Sequence, residues 1–463
     1  MERKMMRELI EWRRDPYRKP LIITGCRQTG KTYIVKAFAE SEYRNCIYIN
    51  FGTMPEKRRL FDGSLDSEEL ISHLTISENT RFYEDDTLIV LDEIQYCTAA
   101  YSSLKSFSVD RRCDVIAIGP SLTFDSDDGH ISPLGHVDIK HLHPMDFEEY
   151  LWAMDIDKGL IDMVKEHLRD KRKVPDYFDM MLSDHFRRYM VIGGMPEAVN
   201  TYATTKDYVR TSKVLDSIIE LLMKDARRHS SKKGYDRIYK CLSSIPRQLS
   251  RDDKRFHYID VDGNKDSGKR RYGDSLDRML DAGLVLKCLN LNDPDHPLSE
   301  HALEDSFKIY MADTGILMRL MKDVNTATVV FDDPFIDHCS LVENAMASAL
   351  SKKGYDLYFY AKRNSTLRID LVTDIDDSVA LIDVRSGRNK RSKSLNTLMS
   401  EKNRNRKGYK IMDTNIEYDE NGILHLPLYA ISLMDDPIEQ QLPVTESSEM
   451  INKRFEEYKG SID

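Results

Sequence analysis

Eight consecutive residues near the start of the chain have the spacing of a phosphate-binding loop. They are Gly25-Cys26-Arg27-Gln28-Thr29-Gly30-Lys31-Thr32, which fits the pattern G-x-x-x-x-G-K-[ST]. The glycines let backbone N–H groups curl around phosphate oxygens, and the N-terminus of a following helix adds partial positive charge. Lys31 is placed to reach the β- and γ-phosphates of a nucleotide, and the Thr32 hydroxyl to coordinate Mg²⁺. We therefore predict ATP and Mg²⁺ as cofactors, with the nucleotide contacting the octet and the next residue, Tyr33.

Two adjacent carboxylates, Asp92 and Glu93, follow the apolar run Leu88-Ile89-Val90-Leu91. Open α/β sheets place ligand chemistry at the carboxyl ends of buried strands. Asp92 is predicted to hold Mg²⁺ through water, and Glu93 to act as the general base that activates the attacking water. A glutamate directly after the aspartate favours hydrolysis over binding alone.

A third polar residue follows another apolar run, Val115–Ile118, which ends in Gly119-Pro120-Ser121. Ser121 is predicted to sense the γ-phosphate as a catalytic residue. A simple Gly-Pro-Ser turn explains the segment equally well, so both interpretations stay open.

The elements that must position these residues alternate between strand and helix. Near-continuous apolar runs separated by helical stretches indicate strands buried on both faces, and hence a parallel sheet. The runs are 21–24, 47–51, 88–91, 115–118 and 137–140. A helix over Tyr33–Ala39 should follow the octet. From Pro144 to about Leu222, apolar residues recur at helical spacing, which predicts a helical lid after the sheet.

The second half of the chain changes character. A helix over Tyr272–Ala282 ending at Gly283, followed by β-like Leu284–Leu286, suits a winged helix with the polar stretch before it as a loop. A further helix from about Val342 to Leu350 precedes three β-like runs, at 357–360, 367–372 and 379–384, which indicates a separate α/β unit. The tail from Pro437 is predicted to be mobile.

Composition limits the class of protein. The chain has 463 residues with 68 basic and 78 acidic side chains, a net charge of −10, which excludes a globally basic nucleic-acid binder but not a local basic face. No apolar run approaches the length of a membrane-spanning helix. Seven scattered cysteines without a Cys-x-x-Cys pair indicate reduced thiols and no zinc site. The predicted location is the cytoplasm, without a membrane partner.

Several segments recur together in one known family. They are Arg27-Gln28, Leu91–Gln95, Ser132–His136, Pro144–Tyr150, Tyr189–Glu197, Tyr310–Ile316 and Val342–Asn344. The chain resembles the archaeal and bacterial AAA-type ATPases whose C-terminal half is a domain of unknown function with a nuclease-like fold. The resemblance implies the nucleotide and Mg²⁺ roles already given for Lys31, Thr32, Asp92 and Glu93.

The predicted fold class is therefore α/β, with a P-loop NTPase parallel sheet, a helical lid, a winged-helix-like middle region and a C-terminal restriction-endonuclease-like α/β domain. The predicted boundaries are 1–143 for the ATPase core, 144–230 for the lid, 231–325 for the middle region, 326–435 for the nuclease-like domain and 436–463 for the tail.

Two positions depart from the family. Gly119-Pro120-Ser121 stands where the family usually has Thr/Ser-Gly-Ser, which weakens the sensor role of Ser121. His136 stands where the family typically has an arginine. If that arginine acts as a charge-stabilising finger, His136 supplies the charge poorly at neutral pH.

Nuclease-like folds place an acid on a first helix, an Asp at the end of one strand and acid-x-Lys on the next, where the carboxylates gather a divalent metal. The matching residues are Glu343, Asp370 and Asp383-Val384-Arg385. Arg385 replaces the lysine, and a guanidinium does not deprotonate in its place. We therefore expect no appreciable cleavage, and leave open a nucleic-acid-binding remnant or a scaffold.

Basic residues cluster nearby, which indicates either a solvated helix face or a contact to a phosphate backbone. They are Arg385, Arg388, Lys390, Arg391, Lys393, Lys402, Arg404, Arg406 and Lys407.

The leading functional prediction is an ATPase that uses nucleotide-dependent closure to act on another macromolecule. The alternative is a nucleotide-gated regulatory or DNA-binding module with little hydrolysis. A small-molecule kinase is disfavoured, since no acceptor pocket is indicated in the lid. The candidate partners are weakly and non-specifically bound nucleic acid, a protein, and further copies of the chain.

Overall fold

The computed structural model describes residues 1–120, 132–133, 135–228, 232–264, 268–322, 324–331, 338–385, 392–401 and 404–435. The helices are α1 (Lys4–Arg14), α2 (Lys31–Glu42), α3 (Ser67–Ser77), α4 (Thr98–Asp110), α5 (Phe147–Ala153), α6 (Lys158–Arg169), α7 (Asp176–Ile192), α8 (Pro196–Thr205), α9 (Tyr208–Arg228), α10 (Lys232–Leu249), α11 (Lys269–Asp281), α12 (Thr314–Leu320), α13 (Thr326–Val330), α14 (Cys339–Lys352), α15 (Lys393–Met399) and α16 (Ala430–Leu433). The strands are β1 (Leu21–Thr24), β2 (Asn45–Asn50), β3 (Thr87–Asp92), β4 (Asp114–Ile118), β5 (Asp138–His141), β6 (Val285–Leu291), β7 (Ala302–Met311), β8 (Tyr358–Ala361), β9 (Arg368–Ile375), β10 (Ser378–Val384), β11 (Arg406–Ile411), β12 (Glu417–Tyr418) and β13 (Leu424–Leu426).

The first five strands form one parallel sheet in the order β2-β3-β4-β1-β5. Because side chains alternate along a strand, each strand contributes side chains to two hydrophobic cores, one on each face of the sheet. Ile22, Ile89 and Leu91 pack on one face, whereas Ile23 and Val90 pack on the other. The predicted parallel sheet buried on both faces, the P-loop NTPase core, is confirmed.

Helices α5 to α9 follow the sheet, in the stretch predicted as a helical lid. Helix α7 ends at Ile192, where Gly193 takes a left-handed φ of 75°, and α8 begins at Pro196 with proline in its first turn. The Gly-Gly-Met-Pro segment thus ends one helix and begins the next.

A second, mixed sheet of eight strands has the order β12-β13-β11-β10-β9-β8-β6-β7. Strands β6 and β7 form an antiparallel hairpin after α11, and β6 pairs in parallel with β8, with Leu289 opposite Tyr358. The sheet therefore runs across the predicted boundary between residues 325 and 326. The chain is α/β as predicted, while the winged-helix-like and nuclease-like assignments and the domain boundaries stay predictions.

Helix α14 is the buried support of this second sheet. Every residue from Leu341 to Leu350 is buried, including the polar Glu343, Asn344 and Ser348. The Asn344 amide pairs with the backbone of Met311 at 2.7 and 3.0 Å, so α14 is hydrogen-bonded to the end of β7. This helix positions the acid that the sequence analysis placed first in the C-terminal triplet.

Some predicted residues fall outside the described ranges: Ser121, the tail at 436–463, and four members of the basic cluster, Arg388, Lys390, Arg391 and Lys402. None of the helices in the described ranges is both long enough and apolar enough to span a lipid bilayer.

Candidate functional site

The octet forms the turn between β1 and α2. Gly25 has a φ of 136°, and a Cβ atom there would lie 2.3 Å from the carbonyl oxygen of Leu142, which follows β5. Only glycine therefore allows the loop to pack this closely on the neighbouring backbone. Gly30 precedes the first residue of α2, so the loop leads directly into a helix N-terminus, a favourable place for phosphate.

Lys31 lies across the loop. Its Nζ donates to the carbonyl oxygens of Gly25 and Cys26 at 2.7 and 2.8 Å. Burial lowers the pKa of Lys31 to about 8, since carbonyl dipoles do not replace a carboxylate partner. No carboxylate in the described ranges forms an ion pair with it, so this cation is available to a phosphate.

Asp92 accepts four hydrogen bonds at the end of β3. Its Oδ2 accepts from the Thr32 hydroxyl at 2.8 Å, the Tyr48 hydroxyl at 2.6 Å and the Asn50 amide at 3.1 Å. Its Oδ1 accepts from the backbone N–H of Glu93 at 2.9 Å. The two predicted Mg²⁺ ligands, Thr32 and Asp92, are therefore in direct contact.

Tyr48 and Asn50 were missed from the sequence. They stand two residues apart on β2, and the register places Asn50 directly opposite Asp92. Two polar residues with this alternate spacing at the end of an otherwise apolar strand were the available signal.

Glu93 has a φ of 55°, a left-handed conformation that is uncommon outside glycine and concentrated at functional sites. Its two carboxylate oxygens each accept from Arg27, both at 3.1 Å. The Gln95 amide also donates to the carboxylate. The predicted base and a residue of the phosphate loop thus form a bidentate ion pair.

Arg3 is hydrogen-bonded to the phosphate loop, a contact that was not predicted from the sequence. This buried side chain donates to the carbonyl oxygens of Thr29 at 2.8 Å and His143 at 2.7 Å, and to Glu149 at 3.0 Å. Glu149 is fixed in turn by a reciprocal capping box with Asp146 at the start of α5. The Asp-x-x-Glu spacing was the only signal in the sequence.

The lid lies against the phosphate loop. Gly194 approaches Met145 so closely that a Cβ atom would lie 1.9 Å from its carbonyl oxygen. Asp313, at the end of the second sheet, accepts from the Gly194 N–H at 2.6 Å. The Pro196 ring lies 3.8 Å from the position that a Cβ at Gly30 would occupy. The Gly-Gly-Met-Pro segment therefore joins the lid, the loop and the second sheet.

His136 lies at the opposite end of the sheet. It precedes β5, where the Lys19 amine donates to the carbonyl oxygen of Gly135 at 2.9 Å and Asp138 pairs with the start of β1. The phosphate loop follows the end of β1. His136 is therefore separated from the loop of its own chain by the length of the strand.

Residues 17–151 match the family model of an AAA domain. The chain therefore contains an AAA domain. Two further matches, to domains of unknown function, cover residues 183–327 (DUF8612) and 339–431 (DUF4143). No curated protein matches the sequence.

Solved structures show distant similarity to this chain. The Walker-type ATPase of Pyrococcus abyssi is 16% identical, over 69% of this chain and 95% of that one, with a TM-score of 0.40. The ORC1 protein of Aeropyrum pernix, solved in complex with DNA, is 14% identical over 71% and 92% of the two chains, with a TM-score of 0.26. Both TM-scores are too low for the likeness to carry an argument about function.

The C-terminal acids lie in one neighbourhood but are occupied by the protein's own cations. Glu343 is fully buried and accepts from Lys254, from Tyr310 and from Lys308, the last at 2.8 Å. Burial by itself raises the pKa of Glu343, but the two lysines together bring it down to about 2.

Asp370 and Asp383 share Arg385, whose Nη2 donates to Asp383 at 2.6 Å while its Nη1 lies 4.0 Å from Asp370. Burial raises the pKa of Asp383, and the neighbouring Asp370 carboxylate raises it further. Among the described residues, no three His, Cys, Asp or Glu side chains are grouped to hold a metal ion. The prediction of no appreciable cleavage fits this arrangement and stays a prediction.

Part of the predicted basic cluster is neutralised within the chain. Arg404 pairs with Asp293 and Asp295, and Lys407 pairs with Asp376 at 3.3 Å. Arg406 is buried against Glu401 at 2.7 Å. Arg388, Lys390, Arg391 and Lys402 lie outside the described residues. The described part therefore gives little support to a phosphate contact at 404–407.

Proposed function

We propose that this chain binds ATP with Mg²⁺ at the phosphate loop and hydrolyses it. The observation that carries the proposal is the convergence of Lys31, Thr32, Asp92 and Glu93 at the carboxyl edge of a parallel sheet. Lys31 offers a cation without a carboxylate partner, while the contact between Thr32 and Asp92 provides a hydroxyl and a carboxylate together. These residues fit a nucleotide with its Mg²⁺, and the metal would supply positive charge against the phosphates.

Arg27 controls the proposed base. As long as Arg27 holds both oxygens of Glu93, the carboxylate is a poor acceptor for a water proton, because its charge is already satisfied. Nucleotide phosphates would compete for the same guanidinium, which binds phosphate as well as carboxylate. In this proposal, transfer of Arg27 to phosphate frees Glu93 to accept the proton of the attacking water.

The same ion pair favours the second candidate, a nucleotide-gated module with little hydrolysis. Both Arg27 and Gln95 occupy Glu93, so a chain that retains these contacts after binding nucleotide would act as a switch and turn over slowly. The two candidates differ in turnover and share the same nucleotide site.

The experiment compares Mg²⁺-dependent ATP hydrolysis by the wild type and Glu93→Gln. We expect the variant to bind ATP normally and to hydrolyse it about 10²- to 10⁴-fold more slowly, because an amide cannot accept the proton. Glu69→Gln, the same change at an exposed position on α3, is the matched control. If wild type and Glu93→Gln hydrolyse ATP at equal rates, the base is wrong; if both rates are negligible while ATP binds, the second candidate replaces the first.

We further propose that nucleotide-dependent closure acts on another macromolecule, either nucleic acid or protein. The contacts of Gly194 and Pro196 that join the loop to the lid and the second sheet support this proposal. ATP turnover measured with and without DNA, RNA or candidate proteins tests it, and stimulation by one class identifies the partner.

A further inference from the structure

A cavity separate from the phosphate loop lies mainly in the C-terminal half of the chain. It has a volume of about 780 Å³ and is bounded by the segment 252–255, the hairpin of β6 and β7, and the turn between β8 and β9. Pockets of this size accommodate small ligands. None of the residues of the phosphate loop lines it.

The walls of this cavity carry an excess of positive charge. Six lining residues are cations and three are carboxylates: Lys254, Arg255, Lys308, Lys362, Arg363 and Arg368 against Asp252, Asp253 and Asp370. In a chain with a net charge of −10, this is a local reversal of sign. Such a reversal concentrates anions at the cavity.

The cations divide into a floor and a rim. On the floor, Lys254 and Lys308 are held by Glu343, and Lys308 lies 4.7 Å above the ring of Phe359. Arg255 pairs with Asp253 at 3.3 Å. These three cations are already engaged.

The rim consists of Lys362, Arg363 and Arg368, all exposed and all at the turn between β8 and β9. Arg368 donates to the carbonyl oxygen of Asp252 at 2.5 Å, which draws the turn toward the opposite wall. Within the described ranges, none of the three forms an ion pair with a carboxylate. Their charges are therefore available to a ligand.

The cavity wall also has a polar and an apolar residue next to the cations. A ligand that fills the cavity would therefore have a second part besides its anionic group. Ser306 lines it, and the hydroxyl of this residue is buried without a hydrogen-bond partner in the described part of the chain. Leu303, on the same wall, leaves 38% of its surface exposed. A ligand that carries phosphate and also a partly apolar group would match both the rim cations and Leu303.

We propose that this cavity binds a nucleotide-like ligand through its phosphates, either a free nucleotide or a short single strand of nucleic acid. The rim arginines and Lys362 receive the phosphates, and Arg363 and Arg368 add the planar donor geometry that suits phosphate oxygens. The exposed part of Leu303 faces the remainder of the ligand. The proposal does not depend on the phosphate loop, because the two sites share no residue.

The test uses the full chain carrying Lys31→Ala, so that nucleotide bound at the phosphate loop does not contribute. Binding of a fluorescent short oligothymidylate is measured at low salt, with AMP and ADP as competitors. The test variant adds Lys362→Ala, Arg363→Ala and Arg368→Ala. The matched control adds Arg210→Ala, Lys213→Ala and Lys224→Ala, three exposed cations of α9 that are not among the cavity's lining residues.

We expect the rim variant to bind the strand roughly 10- to 100-fold more weakly at 0.1 M salt, and the slope of log K against log salt to fall by about 2. The α9 control should bind as before. Competition by AMP or ADP would identify a free nucleotide as the ligand, whereas its absence would identify the strand. Failure of both probes to bind at low salt, or an equal loss in the two triple variants, would overturn the proposal.

Discussion

The two carboxylate sites of this chain differ in where their cations are directed. At the phosphate loop, Lys31 donates to carbonyl oxygens and Asp92 accepts from neutral donors, and the ion pair described there joins two partly exposed residues, Arg27 and Glu93. In the second sheet, Glu343 is held by two lysines and Asp383 by Arg385.

A charge held by neutral dipoles can be matched better by a ligand, whereas a charge already paired with an opposite charge gains little from one. Lys31 and Asp92 therefore suit a charged ligand such as nucleotide phosphate with its metal ion. The carboxylates of the second site act as structural parts, and the positive charge left over there lies at the cavity rim. Sequence motifs alone placed acids at both sites and could not show this difference.

The largest expected effect is on stability. Glu343→Gln removes the carboxylate shared by Lys254 and Lys308 and leaves two buried ammonium groups without that counter-charge. We expect the free energy of unfolding to fall by about 3–5 kcal/mol. Asp92→Asn, the matched change at the other site, faces only neutral donors and should cost about 1–2 kcal/mol. Thermal unfolding of the two variants measures both, and equal losses would remove the contrast between the sites.

The next effect is on ATP binding. Lys31→Ala removes the one cation that lies across the phosphate loop, and we expect ATP affinity to fall by at least about 100-fold, or about 3 kcal/mol. Lys36→Ala, which removes an exposed lysine from the same helix, is the control and should bind ATP normally. Retained affinity in Lys31→Ala would show that the phosphates lie elsewhere.

A smaller effect concerns pH and Asp383. Its raised pKa means that the folded state holds this proton more firmly than the unfolded chain does. The stability that the proton contributes is therefore lost as pH rises from the ordinary aspartate pKa through the raised one. Asp383→Asn removes this dependence, so its stability relative to wild type should improve by on the order of 1 kcal/mol between pH 4 and pH 8. A constant offset across that range would contradict the assignment.

The smallest effect is proton uptake at Lys31. With a pKa of about 8 in the free protein, the amine is largely neutral at pH 8.5 and takes up a proton when nucleotide phosphates approach. Calorimetry of ATP binding in two buffers of different ionisation enthalpy should show uptake of roughly three quarters of a proton at pH 8.5 and little at pH 7. The Lys36→Ala protein should give the same values. No uptake at pH 8.5 would place Lys31 away from the phosphates.

The parts of the fold and site that follow from short-range patterns were predictable. The five parallel strands, the helix after the octet and the acids at the end of β3 each depend on residues that are close in sequence. The conformation of the phosphate loop follows from the octet alone, because its glycines and its lysine are close together in sequence.

The remainder depends on contacts between distant segments, which no spacing encodes. Arg3 reaches Thr29 and Glu149, and Lys254 reaches Glu343 from 89 residues away. The pairing of β6 with β8 likewise joins segments that read as separate units, because each strand has an ordinary apolar pattern by itself. Which cation neutralises which acid is decided only when these segments meet.

The close approach of Gly194 to Met145 and of Gly315 to Ile192 brings backbone against backbone, with carbonyl oxygens 1.9 and 2.3 Å from the positions that Cβ atoms would take. No side chain lies between them that could change rotamer and absorb a displacement. The lid and α12 should therefore move together as one rigid body. A shift of the lid of an ångström or so at the phosphate loop would reach α12, and β7 before it, at nearly full amplitude.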